Sequence, residues 1–437
     1  MKYLWLYYLP LLYLPSGDYA IPTAFGTLQL SDLLVGPYLC LLLVALYTIW
    51  IEERGRILPE KLPKRRYISV IQLLMQMWFY WAILSTLTII FRYPSYADLF
   101  PSYFALLKLA KISLYAVVAV LTIKVLSKLR LNQLYMYLWA FLASSLMLGV
   151  ATLATHYSLT FLFPWVGVDQ EPYQENGATA LMGIQIVFLA GMLFGGHGTR
   201  RWRTCAGLGL VAVALGLVLT EGRGGWVATI LGLLYISLRL QIKLLLRLVV
   251  TIVVFVAIAY TQIPEFRNLI NITLFPDYDR LQLLEYYEAG VFGIDTIDAG
   301  ARPRYWVVEG TKIINAPLLG TGFFHRGGAT LLDPDGSHNF FLQMFLETGI
   351  VGGILIVAIF RQMWIHASSE VTKSTGFELP VKASLIVALV SGMTGEYFYG
   401  GTVLFTLLLA YAPVGRLELE PSTLYNRHRL LHKKSSL

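Results

Sequence analysis

Arg54-Gly-Arg-Ile-Leu-Pro-Glu-Lys-Leu-Pro-Lys-Arg-Arg66 is the stretch that decides the architecture. It separates two apolar runs, 31–51 and 68–91. Each run is as long as the roughly 20 apolar residues that a helix needs to cross a bilayer. Lysine and arginine collect on the cytoplasmic side of membrane proteins, so this loop is expected there, with a span on either flank. Composition agrees. The chain is 57% hydrophobic and 14% charged, with a mean hydropathy of +0.62. A soluble domain carries roughly 25% charged residues to cover its surface.

Working outward from that loop, further spans are expected at 2–15, 103–127, 134–155, 179–197, 204–220, 226–242, 246–262, 339–360, 381–398 and 401–415. Each later basic run falls where an even number of crossings returns the chain to the cytoplasm. These runs are Lys124, Lys128 and Arg130; Arg200, Arg201 and Arg203; Arg239, Lys243 and Arg247; Arg361; and Arg427, Arg429, Lys433 and Lys434 in the tail. The net charge of +8 therefore reads as a topology signal rather than a nucleic-acid footprint. Met1-Lys2 and the apolar run to Pro15 have the outline of a signal peptide. With no small-x-small cleavage site before Tyr19, they are read as a short first span. Two cysteines, Cys40 and Cys205, support neither a disulfide framework nor a thiolate metal site.

The expected fold is thus an all-α polytopic membrane protein of about 12 transmembrane helices with a large loop on the outer side. Its divisions are a first bundle of about nine spans at 1–262, a loop or cap at 263–338, about three spans at 339–416 and a basic cytoplasmic tail at 417–437. The loop mixes aromatic residues, proline and glycine with many charges, which suits a cap with helices near 279–290 and 303–315.

Three groups of chemistry-bearing residues fall on that outer side. Gly222-Arg223-Gly224-Gly225-Trp226 opens a span, and an arginine among glycines sets backbone N–H groups beside a fixed positive charge. That arrangement suits a phosphate, and equally suits a flexible turn beside lipid head groups. Gly336-Ser337-His338-Asn339 leads into the apolar helix from Phe340 to Ile359, with Ser337 or Asn339 able to cap it. His338 is either an interfacial residue of the capping turn or a base able to take a proton from a hydroxyl. Arg302-Pro303-Arg304-Tyr305-Trp306 can grip a diphosphate or form salt bridges with the acids of the loop. Within the spans, Lys108 and Lys111 lie one turn apart near an outer end, and they either snorkel or line an anionic cavity. Glu347, two to three turns below His338, is a further cavity wall or a buried hydrogen-bond partner. Glu396, at the end of the 381–398 span, has the same two readings.

The order of these motifs resembles a known family. An outward Arg-Gly pair opens a span, Arg302 precedes Trp306 by four residues, and Asn315-Ala-Pro-Leu-Leu-Gly-Thr-Gly322 follows. Ser337-His-Asn-Phe-Phe-Leu-Gln343 then begins a helix that continues Glu347-Thr-Gly-Ile-Val-Gly-Gly353. Over about 180–400 the chain is similar to the O-antigen ligase and O-antigen polymerase superfamily of bacterial inner-membrane glycan transferases. The resemblance implies a metal-independent membrane glycosyltransferase fold with its site on the periplasmic face, and it implies no cofactor. The donor would be a glycan on undecaprenyl diphosphate, and the acceptor another glycan or a lipid core. It maps the family histidine onto His338 and the family arginines onto Arg223 and Arg302, with Arg304 able to share the latter's role. Asn339, Glu347, Lys108 and Lys111 remain possible cavity residues. Gly222 stands where many relatives carry serine, so no hydroxyl role is expected there. The rival readings are a protein O-oligosaccharyltransferase, which differs in its acceptor, and a polytopic transporter. A transporter is expected to show two related halves and a site near mid-membrane in broken helices; the sequence shows no half-to-half similarity, and its candidate charges gather at the outer mouth.

Overall fold

The computed structural model describes residues 3–13, 21–23, 26–28, 30–55, 70–92, 102–128, 131–157, 175–195, 199–220, 223–240, 257, 260–261, 310, 313–314, 316–322, 339–395 and 402–419. The described chain is almost wholly helical. Its elements are α1 (Leu4–Tyr8) with a following 3-10 turn (Leu9–Tyr13), α2 (Leu30–Gly55), α3 (Val70–Arg92), α4 (Ser102–Lys128), α5 (Leu131–His156) and α6 (Glu175–Phe194). Then come α7 (Arg200–Leu219), α8 (Arg223–Leu240), α9 (Phe340–Ala367), α10 (Glu370–Thr375), α11 (Glu378–Thr394) and α12 (Thr402–Leu419). A short antiparallel ribbon of β1 (Ile21–Thr23) and β2 (Gly26–Leu28), paired Ile21 to Leu28 and Thr23 to Gly26, is added to the expected all-α architecture.

Eleven of the expected spans coincide with helical segments within a few residues. The twelfth, 246–262, lies almost wholly outside the described residues, as do the expected loop helices. Among the described residues, six helices are long and apolar enough to cross a membrane: α2, α3, α4, α5, α7 and α9, the last counted across its break at Gly349. The first apolar segment, Leu4–Tyr13, is shorter and packs inside the bundle, with Trp5 and Leu9 fully buried.

The C-terminal helices are built into the N-terminal bundle rather than beside it. Helix α9 packs on α3, α11 on both α6 and α8, and α12 on α4. At the centre stands α6, whose residues from Ala178 to Met192 are all buried. A helix that is apolar on every face belongs in such an interior. Small residues let its neighbours close in. A Cβ on Gly191 of α6 would stand 2.7 Å from the backbone of Pro380, and one on Gly149 of α5 would stand 2.9 Å from the backbone of Ala212 in α7. Buried hydroxyls tie distant helices together. Tyr137 Oη donates to the Leu409 carbonyl at 2.5 Å, and Tyr13 Oη pairs with Thr406 Oγ1 at 2.9 Å.

Helix α9 departs from its expected form. The span 339–360 was expected as one helix, but the backbone reverses at Gly349, where φ is 67° and ψ is −176°. The ring centroids of Phe341 and Phe360 stand 5.7 Å apart. In a straight helix the 1.5 Å rise would separate those positions by about 28 Å. Residues 340–348 (α9a) therefore fold back along 350–367 (α9b) as a helical hairpin. Phe345 of one arm lies against Gly353 of the other, where any Cβ would overlap its ring.

Of the two arms, only α9b at 350–367 is long enough to cross a bilayer. Its far end joins the basic ends of its neighbours. Trp364 packs on Tyr235 of α8 at 6.1 Å, and Lys382 of α11 lies over the Trp364 ring at 5.2 Å while pairing with Glu378. Arg239 covers Tyr235 from the other side of this cluster. The hairpin turns the Asn339 end of α9a toward the Trp364 end of α9b, with Phe341 beside Phe360 and with Phe340 and Lys124 lining one cavity, so the outer position expected for His338 rests on the basic runs alone.

Candidate active site

The reversal at Gly349 creates a problem that the surrounding chain solves. A helix end leaves its last carbonyls without intrahelical partners, and at membrane depth no water is at hand to satisfy them. Here the segment 316–322 docks against the end of α9a. Thr321 N–H donates to the Leu346 carbonyl at 2.8 Å, and Gly322 N–H donates to the Glu347 carbonyl at 2.9 Å. In return, Ile350 N–H at the start of α9b donates to the Pro317 carbonyl at 2.8 Å.

Helix α3 completes the set. Trp81 Nε1–H donates to the Thr348 carbonyl at 2.8 Å, and Ser85 Oγ reaches the Glu347 carbonyl at 2.8 Å. Ser85 Oγ also touches the Leu319 carbonyl, so one buried hydroxyl proton serves two acceptors, one on each side of the junction. The glycines are required by space as well as by torsion. Gly320 has φ of 70°, and a Cβ there or on Gly349 would overlap the opposing backbone.

At the other end of α9a, Asn339 is the cap. Its backbone is extended, and its Oδ1 accepts from Phe341 N–H and Leu342 N–H, each at 3.1 Å. Between the two capping options offered by the sequence, the described geometry selects Asn339. His338 precedes it in the chain and lies outside the described residues, together with Arg302, Arg304 and Glu396.

Glu347 lies at the reversal, about two turns along α9a from the cap. It is fully buried, and Gln343 Nε2 donates to its Oε1 at 2.6 Å, an i,i+4 contact within α9a. Asn339 and Glu347 thus occupy opposite ends of one arm, about 12 Å apart along its axis. Arg223 is the first residue of α8, and Lys108 lies in the first turns of α4; their side chains are outside the described set. Lys111, one turn on from Lys108, is half-buried.

The glycine-rich first turn of α8 has a packing role that the sequence reading missed. Gly225 is buried, and any Cβ there would overlap Thr179 of α6. Trp226 Nε1–H donates to the Leu217 carbonyl at 2.8 Å, fastening the start of α8 to the end of α7. Arg223 is therefore carried on a helix start that is locked to two neighbours. Trp81 and Ser85 were missed as well, because nothing in an apolar span marks a tryptophan or serine as the partner of a distant helix break. Gly349 and the pair Gly352-Gly353 were the only local signal of a close reversal.

A cavity of about 410 Å3 opens between α3, α4, α9 and α12. Phe340 and Met344 of α9a form one wall, Phe360 and Met363 of α9b another, with Trp78 and Leu408 facing them. It is overwhelmingly apolar, with Lys124, Gln72 and Gln76 among its polar neighbours.

No curated protein matches the chain. A family model described as O-antigen ligase matches residues 208–357, a stretch that contains Arg223, Arg302, Arg304, His338 and the whole reversal at Gly349. That match spans about a third of the chain, and over it the chain is similar to the O-antigen ligase family.

Proposed function

We propose that this multi-pass membrane protein transfers or polymerises oligosaccharide carried on undecaprenyl diphosphate, at the extracytoplasmic face of the bacterial inner membrane. The observation that carries the reading is the family match over 208–357, which gathers the basic residues and the histidine into one matched stretch. The parity of the basic runs supports the sidedness, and the full count of about 12 crossings with a large outer loop belongs to the same proposal. So do the divisions at 1–262, 263–338, 339–416 and 417–437.

In this reading the diphosphate is already a good leaving group. Arg223 and Arg302, with Arg304 in reserve, bind its oxygens and stabilise the charge that grows as the glycosidic bond to phosphate breaks. His338 takes the proton from the acceptor hydroxyl as that oxygen attacks the anomeric carbon from the opposite face. The carbon–oxygen bond to the acceptor forms, the bond to the diphosphate breaks, and the configuration inverts. Arginines supply the positive charge in this scheme, so it calls on no metal or cofactor. The acceptor is another glycan or a lipid core.

A positioned general base contributes about 10²- to 10⁴-fold. His338→Ala is expected to lower glycan transfer by that factor while inserting normally, as judged by its abundance in membranes. Near-full activity in that variant would remove the base assignment. Deleting the gene product and analysing surface glycan divides the two activities. Capped single-repeat lipid marks a lost polymerase, whereas full-length chains stranded on the carrier mark a lost ligase.

A further inference from the structure

We infer that Trp81 and Ser85 of α3 are positioning residues for the transfer reaction, acting through the hairpin of α9; this rests on the proposed role of His338. Both residues lie outside the stretch that matches the family model, so the match says nothing of them. The geometry does. Three separate pieces of chain meet at one junction: the 316–322 segment, the end of α9a, and the middle of α3.

The two α3 side chains are donors, and their acceptors are the carbonyls of Thr348, Glu347 and Leu319, on both sides of the junction. Trp81 also abuts Gly352 at the start of α9b, within 3.3 Å of where a Cβ would stand. A rigid helix therefore fixes the angle at which the two arms of the hairpin diverge.

What that angle controls is the other end of α9a. The arm runs from the clasp to the Asn339 cap, and His338 is next in the chain. A small rotation at Gly349 is magnified over the roughly 12 Å length of the arm. The same clasp holds the downstream end of the segment that bears Arg302 and Arg304. A misplacement of about 1 Å in a reacting group can cost on the order of 100-fold in rate.

The test uses the full-length protein in membranes, with Cys40 and Cys205 replaced by serine. Phe341→Cys with Phe360→Cys reports on the hairpin itself, because a short bifunctional thiol reagent joins those positions only when the arms lie together. Adding Ser85→Ala and Trp81→Phe is expected to slow that joining several-fold. In proteins without the reporter cysteines, Ser85→Ala is expected to lower kcat for glycan transfer about 10- to 100-fold with KM for the donor little changed. Ser85→Thr, which keeps the hydroxyl, is expected to recover most of that loss. Should Ser85→Ala fail to accumulate, Trp81→Phe keeps the bulk, removes only the donor, and carries the same expectation. Unaltered joining, or undiminished kcat in Trp81→Phe and Ser85→Ala, overturns the positioning role. Full transfer by His338→Ala overturns the base assignment instead, a result read from a different variant.

Discussion

Asn339 concentrates the residue-scale argument. Its side chain accepts from two backbone amides at the start of α9a, and losing such a cap costs about 1 kcal/mol. Asn339→Ala is expected to fray the arm next to His338 and lower transfer, whereas Asn339→Asp keeps the acceptor and loses little. Comparing the transfer rates of the two variants checks this. The motif Gly336-Ser-His-Asn339 made a cap here legible, because asparagine before an apolar run is a local signal. Gly349 was not legible in the same way. Its φ of 67° with an extended ψ belongs to a region essentially reserved for glycine, and an alanine there would also overlap Leu318. Gly349→Ala is expected to cost roughly 1–3 kcal/mol or more. The readout is a lowered thermal midpoint of the purified protein; an unchanged midpoint would mean that the reversal is not as tight as described.

At the scale of the helix, span positions could be read because an apolar run has a length, and length is nearly all that a bilayer demands. The run 31–51 became Leu30–Gly55, and 103–127 became Ser102–Lys128. Hydropathy has no direction, however. Both arms of α9 are apolar, and Glu347-Thr348-Gly349 looks like a polar blemish in one long span rather than a place where the chain turns back. Pairing between helices was equally hidden. Nothing near Gly225 announces that Thr179 will close on it, since that contact joins residues far apart in the chain. Gly225→Leu is expected to force α6 and α8 apart and to cut the protein's abundance in membranes, while Gly207→Leu, with nothing within 4 Å of its Cβ position, should be tolerated. Equal loss in both variants would argue against the close packing.

For the whole molecule, charge and packing converge. The basic ends of α8 and α9b meet in the cluster of Arg239, Tyr235, Trp364 and Lys382, at the end that the positive-inside rule assigns to the cytoplasm. Glycan transfer as proposed needs His338 and Arg223 both to be reached by water from the opposite side, His338 through a cleft, because the hairpin sets Phe341 beside Phe360. The most direct measurement is thiol labelling of intact spheroplasts with a membrane-impermeant reagent. His338→Cys and Arg223→Cys would each be tested in a protein lacking Cys40 and Cys205. Labelling of both from outside, without permeabilisation, is the predicted result. Labelling of one from outside and the other only after the membrane is opened would contradict the account.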